Sequence, residues 1–214
     1  MLPYLWRNTR RRVAVSDLAS NEPGAAVRRK LMELQPNRVK RTLARLYPGS
    51  EIRSWADGLK GERVTGRQLN RLRPRGWQVL HAIQWPSGSD IDHLVIGPAG
   101  VFTVNSKRHK GKTVWYGDRA ITVNRAPTRH IAISQHEAQR TAKTLGRHCT
   151  LPVPVRPIIC IVDAAKLSVK NAAPPVLVVE AAKIVSLLSG MSPVLPPEMV
   201  QHIYQVARRQ ATWA

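Results

Sequence analysis

The 214-residue sequence predicts an α/β fold: a mixed β-sheet flanked by helices, with a basic helical extension ahead of it. Three observations carry that prediction. Periodicity changes along the chain, giving the order helix, three strands, helix, two strands, helices. The run Val155–Val162 is apolar almost throughout, as in a strand covered on both faces. Hydrophobic residues make up 43% of the chain and include six tryptophans, enough for one packed core, so the high charge does not mean disorder.

The charge itself is the next constraint. Thirty-four Lys and Arg against 13 Asp and Glu give a net charge of +21, which makes a polyanion the default partner. It is unevenly spread: +8 over residues 1–56 (12 basic, 4 acidic), +10 over 57–148 (16 and 6) and +3 over 149–214 (6 and 3). No apolar run approaches the ~20 residues of a membrane helix, and the first residues lack the apolar stretch of a secretory signal. A cytoplasmic protein with no membrane partner is expected. Cys149 and Cys160 form no CxxC motif, so they read as two free thiols and not as a zinc or redox site.

The elements follow in order. Arg10, Arg11 and Arg12 form a solvated run. Val27, Leu31 and Leu34, then Val39, Leu43 and Leu46, repeat at i, i+4, i+7, predicting two helices with Pro36 opening the second. This pair reads either as a hairpin packed on the main domain or as a clamp for nucleic acid or a partner, a homodimer included. Tyr47-Pro48-Gly49-Ser50 marks the boundary between a basic extension, residues 1–50, and the main domain, residues 51–214. Ser54-Trp55-Ala56-Asp57 fits a capping box and predicts a helix to about Arg73. Gly58, Gly61 and Gly66 each cost that helix about 1 kcal/mol relative to Ala, which implies close packing or a ligand nearby. Strands are predicted at 77–83, 91–96 and 101–106, the last two joined by a tight turn at Gly97-Pro98-Ala99-Gly100. A hairpin at 113–116 and 120–123 turns at Gly117-Asp118. A helix at 130–147, strands at 155–162 and 176–179, and helices at 181–188 and 197–209 complete the chain.

Alternation along a strand puts Asp90 and Asp92 on one face, and Asn105 and Lys107 on one face. A turn symmetric about Pro98 and Ala99 sets residue i opposite 197 − i, so Asp92 meets Asn105 and Asp90 meets Lys107. A carboxylate and an amide oxygen suit Mg²⁺, and a lysine beside them can orient a water or stabilise a phosphorane's charge. Glu62, from the preceding helix, can join them. The plainer reading is a cross-strand Asp90–Lys107 ion pair.

The stretch GLKGERVTGRQLNRL, followed by DIDHLVIGPAGVFTVNSKRHKGK, resembles the nuclease-related domain, or NERD, family over about residues 55–148. That family is placed in the PD-(D/E)XK nuclease superfamily. The resemblance implies a restriction-endonuclease-like fold and a divalent-metal-dependent nuclease, with Mg²⁺ or Mn²⁺ as cofactor and DNA as substrate. It puts the family's helix acid on Glu62, its metal-binding aspartate on Asp92 and its catalytic lysine on Lys107. The acid two residues before that lysine falls on Asn105, so the expected E-x-K reads Asn-Ser-Lys. The implied metal set is Glu62, Asp92 and Asn105, with a neutral amide where a carboxylate is expected. A nuclease fold that binds DNA or RNA without turnover, and a scaffold docking partners through its N-terminal helices, are the alternatives.

Arg63 and Arg67 on the helix, and Arg108, Lys110 and Lys112 around Gly111, are the expected nucleic-acid contacts. Trp115 and Tyr116 read either as base-stacking aromatics or as core. Gln135 and Glu137 are loose matches to a supporting polar residue of the superfamily. The seven histidines give no zinc set, and His93 is expected to point away from Asp92 in a structural role.

Overall fold

The computed structural model describes residues 17–44, 46, 47, 49–117, 120–170 and 174–214. The arginines at 10–12 and Asp118 of the expected turn lie outside them. The helices are α1 (Ala25–Leu34), α2 (Arg38–Ala44), α3 (Glu51–Asn70), α4 (His130–Cys149), α5 (Ile184–Ser189) and α6 (Pro197–Ala207). The strands are β1 (Gln78–Gln84), β2 (Asp90–Gly97), β3 (Gly100–Arg108), β4 (Thr113–Tyr116), β5 (Ile121–Val123), β6 (Ala126–Pro127), β7 (Val155–Val162), β8 (Lys166–Val169) and β9 (Leu177–Glu180).

Five strands form a mixed sheet in the order β1-β2-β3-β7-β9. The first two pairings are antiparallel and those of β7 with β3 and with β9 are parallel. The apolar run of β7 thus lies inside the sheet, where both faces are covered. Val79, Val95, Phe102, Val104, Ile158 and Cys160 pack under α3 and α5. Leu80, Leu94, Ile96 and Val101 pack with Leu145 of α4 and Val200, Ile203 and Tyr204 of α6. The architecture is α/β, a mixed sheet flanked by helices, consistent with a restriction-endonuclease-like fold. A second, four-stranded sheet, β6-β5-β4-β8, lies against Ile159 and Ile161 through Val114, Tyr116 and Ile121. Its short strands β6 and β8 carry too few alternating residues to stand out in the sequence.

Two features set the geometry of α3. Its N-cap is Ser50, whose hydroxyl accepts from the Arg53 N–H, and not Ser54. The helix therefore begins a turn earlier than the capping-box pattern predicts. Of the three glycines, Gly61 lies against Arg108 of β3, where an added Cβ would sit 3.2 Å from the Arg108 Cβ. At Gly66 a Cβ would sit 2.5 Å from Pro23, whereas Gly58 faces open space. Close approach thus explains two of the three.

In the N-terminal segment, Val27 and Leu31 of α1 are buried against Leu59 of α3, as their spacing predicts. Pro36 does not open α2. Asn37 does, its Oδ1 accepting from the N–H groups of Val39 and Lys40. The second stripe does not pack: Val39 is 69%, Leu43 53% and Leu46 72% exposed. Leu18 enters the core shared with Trp213, and the Arg208 guanidinium donates to Asp17 through its Nε at 3.0 Å.

Candidate active site

The β2–β3 hairpin has the register that a symmetric turn predicts, with Gly97 opposite Gly100 and His93 opposite Val104. Gly100 closes the turn with φ +119°, a conformation that favours glycine. The ladder stops at Asp92. This residue pairs neither with Asn105 on one side nor with Ala82 on the other, although Ile91 and Ile83 pair beyond it. Ala82 has φ +51°, rare for a residue with a Cβ. Strict alternation fails here: Ile91 shares a cluster with Leu94 and Ile96, and Ile83 shares it with Leu80. The break frees the Ser106 N–H from the ladder, and the Asp92 Oδ2 accepts it at 2.7 Å.

Around this break the chain buries several acids. Glu62 of α3, Asp92, Asn105 and Glu137 of α4 are enclosed, with Asp90 and Lys107 at the edge. Burial, then the charges of Asp92 and Asp90, push the Glu62 carboxyl far above the usual range, while Lys107 opposes the shift. Burial also raises Asp92 and Asp90, against the pull of Lys107. Glu137 is pushed up to about 8 by burial and by Asp92. Its carboxylate accepts from the Asn105 Nδ2 at 3.4 Å. That bond leaves the Asn105 Oδ1 as a free acceptor, and Glu62 Oε2, Glu137 Oε1, Thr103 Oγ1 and Ser134 Oγ also lack partners. Buried oxygens without donors mark a space for water or a cation.

Glu137 is the residue that sequence reasoning underrated. The available signal was the spacing of His130, Ser134 and Glu137 at i, i+4, i+7, a polar stripe on one face of α4. His130 stacks on His109 with ring centroids 5.5 Å apart. Burial and Lys107 hold both imidazoles below their usual range, His130 down at about 4.

His93 is structural, as its place in the strand predicts, and it sits in a buried chain of hydrogen bonds. His81 Nε2 donates to Asn70 Oδ1 at 3.0 Å, so its Nδ1 accepts from His93 Nδ1 at 2.8 Å. His93 Nε2 then accepts from the Ser106 hydroxyl at 3.2 Å. Burial keeps both rings neutral. Ser106 is thereby clamped to β2 twice, through its N–H to Asp92 and its hydroxyl to His93, between Asn105 and Lys107.

The expected nucleic-acid contacts divide. Arg63 and Arg67 are exposed and, with Lys60, Pro23 and Asn70, line a groove of about 650 Å³. Lys110 and Lys112 are exposed and line a second, of about 600 Å³, with Arg53. Arg108 is different. Its side chain is 6% exposed and ion-paired to Asp57 and, at 2.6 Å, to Asp163. It ties α3 to the end of β7 and is not free for a phosphate. Tyr116 is buried and belongs to the core, whereas Trp115 is 43% exposed. Gln135 is half-buried.

Buried carboxylates thus surround a lysine at a break between the central strands of a mixed sheet. Residues 57–162, just under half of the chain, match the family described as "Nuclease-related domain". An uncharacterized protein of Bacillus anthracis is 36% identical over 58 residues, 25% of this chain. The match spans 27% of that relative's length. No solved structure matches the chain at a significant level.

The donor set fits a hard divalent ion. Among the described residues no three His, Cys, Asp or Glu groups converge into a closed cage. Mg²⁺, however, keeps several waters and needs only one or two carboxylates, and the unpartnered oxygens of Glu62, Asn105 and Glu137 beside Asp92 are of that kind.

Proposed function

We propose that the protein is a divalent-metal-dependent DNA nuclease acting through Glu62, Asp92, Asn105, Lys107 and Glu137. One observation carries this reading: the site buries like charges with unpartnered oxygens, an arrangement that protons or a cation would relieve. Asp92, Asn105 and Glu62 would hold Mg²⁺ or Mn²⁺. When bound, the ion supplies Lewis-acid stabilisation of a phosphoryl oxygen and a more acidic water. Lys107 orients the scissile phosphate and stabilises its growing negative charge. Glu137, which a bound ion would deprotonate, would restore the charge that Asn105 lacks, and it fixes the amide so that its oxygen faces away from that bond. Arg63, Arg67, Lys110 and Lys112 hold the DNA backbone. The main domain, residues 51–214, carries the reaction, and residues 1–50 extend its basic surface.

A nucleic-acid-binding module without turnover is the second reading, and Asn105 favours it. One assay separates the two: cleavage of supercoiled, linear and single-stranded DNA with Mg²⁺ or Mn²⁺. The nuclease reading expects products that vanish with Lys107→Ala and rise with Asn105→Glu. If wild type and Asn105→Glu both yield no divalent-dependent products, hydrolysis is the wrong reading.

A further inference from the structure

The outer face of the small sheet carries an aromatic that the core does not use. Along β4 exposure alternates: Val114 and Tyr116 point inward, Thr113 and Trp115 outward. The cross-strand neighbours of Trp115 are Thr122 on β5 and Ser168 on β8. These are short polar side chains that do not cover an indole. Its seat is shaped by glycine: a Cβ at Gly117 would sit 2.0 Å from the Trp115 Cη2. The ring edge thus rests on the Gly117 backbone. Of the large hydrophobic residues more than a third exposed, Trp115 is the one tryptophan among the described residues.

Among the described residues of β4, β5 and β8 the charge has one sign. Lys166 pairs with Thr113 in the parallel β4–β8 ladder and so lies on the face of Trp115. Lys170 continues that face, its N–H bonded to the Tyr116 carbonyl, and Lys112 precedes β4. All three lysines are exposed, and no described residue of β4, β5 or β8 is acidic. A flat aromatic among cations on a sheet surface suits a strand with negative phosphates and an unpaired base to stack. It does not suit duplex DNA, whose bases are already stacked.

We propose that this face is a binding platform for single-stranded nucleic acid, with Trp115 stacking on an unpaired base and Lys112, Lys166 and Lys170 meeting the phosphates. The proposal deepens the reading of the protein as acting on nucleic acid, but it stands apart from hydrolysis.

The test uses the full chain in EDTA, so that no cleavage occurs. Fluorescence anisotropy measures binding of labelled oligothymidylate, oligouridylate and a short DNA duplex at near-physiological salt. Trp115→Ala should weaken oligothymidylate binding about tenfold, in line with one lost base stack, and leave duplex binding within about twofold. Trp115→Phe should retain most of the affinity. Gly117→Val, which crowds the ring from below, should mimic Trp115→Ala. Circular dichroism and the melting temperature show that each variant folds. Equal losses for strand and duplex, or no loss for either, overturn the platform. Oligouridylate that loses affinity with Trp115→Ala supports it for RNA as well as DNA. Oligouridylate that binds without Trp115 dependence overturns stacking as its general basis. A wild type that does not cut with Mg²⁺ while the Trp115 dependence persists overturns the hydrolysis reading alone.

Discussion

Asn105 stands where a carboxylate would complete a nuclease-like site, and Glu137 lies 3.4 Å from it. If Glu137 supplies the missing charge, Glu137→Gln lowers Mn²⁺ affinity by about 10–100-fold, the usual effect of losing an outer partner of a metal ligand, and calorimetric titration reads it. In the Asn105→Glu background the same substitution should matter less, because the charge is then present on β3. Arg108 and Lys110 make a contrasting pair. Arg108→Ala leaves Asp57 without its guanidinium and Asp163 with Lys60 alone, at 3.9 Å, and costs about 1–2 kcal/mol by denaturant unfolding, a figure held low because both acids are solvent-accessible. Lys110→Ala leaves stability unchanged and reduces the salt slope of DNA binding by about 0.9.

At the scale of elements, α3 joins the N-terminal segment to the sheet, and its glycines show how. Gly58 faces open space on a helix, so Gly58→Ala gains stability, about 0.5–1 kcal/mol from helix propensity. Gly66→Ala pushes a methyl into Pro23 and is destabilising. Thermal unfolding of the two variants reads opposite signs from the same substitution on one helix. In β1 and β2 the break at Ala82 and Asp92 is the element-level device of the site. A continuous ladder would take up the Ser106 N–H that now holds Asp92.

For the whole molecule, charge and titration act together. The six acids of residues 57–148 are Asp57, Glu62, Asp90, Asp92, Asp118 and Glu137, and four of them gather at the candidate site. Glu137 keeps its proton in the folded protein up to about pH 8, whereas in the unfolded chain it loses it near 4.5. Between those values the folded state binds more protons, so stability falls as pH rises through the window. His81 and His130 act in the opposite direction. Their folded values of about 4 lie below the ordinary 6.5, so stability falls as pH drops through that range. Between pH 7 and 9 the buried acids carry the change, and the Cys160 thiol, pushed up to about 12 by burial, adds to it in the same direction from about pH 9. Denaturant unfolding in EDTA should therefore show lower stability at pH 9 than at pH 7, with a smaller drop in Glu137→Gln. Mg²⁺ should oppose the alkaline loss, because it favours the deprotonated acids. The exposed stripe of Val39 and Leu43 on α2, with Leu46 beyond its end, is the surface through which we propose a homodimer. Sedimentation of wild type against Leu43→Glu checks it, a monomeric wild type overturning the proposal.

Sequence alone was enough for the mixed sheet and for the β2–β3 register as far as His93, and it singled out Glu62, Asp92, Asn105 and Lys107 as candidates. Alternation, turn chemistry and a family-specific string are local properties, and each is written within a few residues. Tertiary structure decided the rest. It brought Glu137 to Asn105 across 32 positions of chain, took Arg108 into ion pairs with two distant acids, and sorted Trp115 outward from Tyr116 inward. It also broke the ladder at Asp92, where a strict period of two predicts continuity. Those outcomes depend on which elements pack against one another and which charges are removed from water, and no local spacing encodes either.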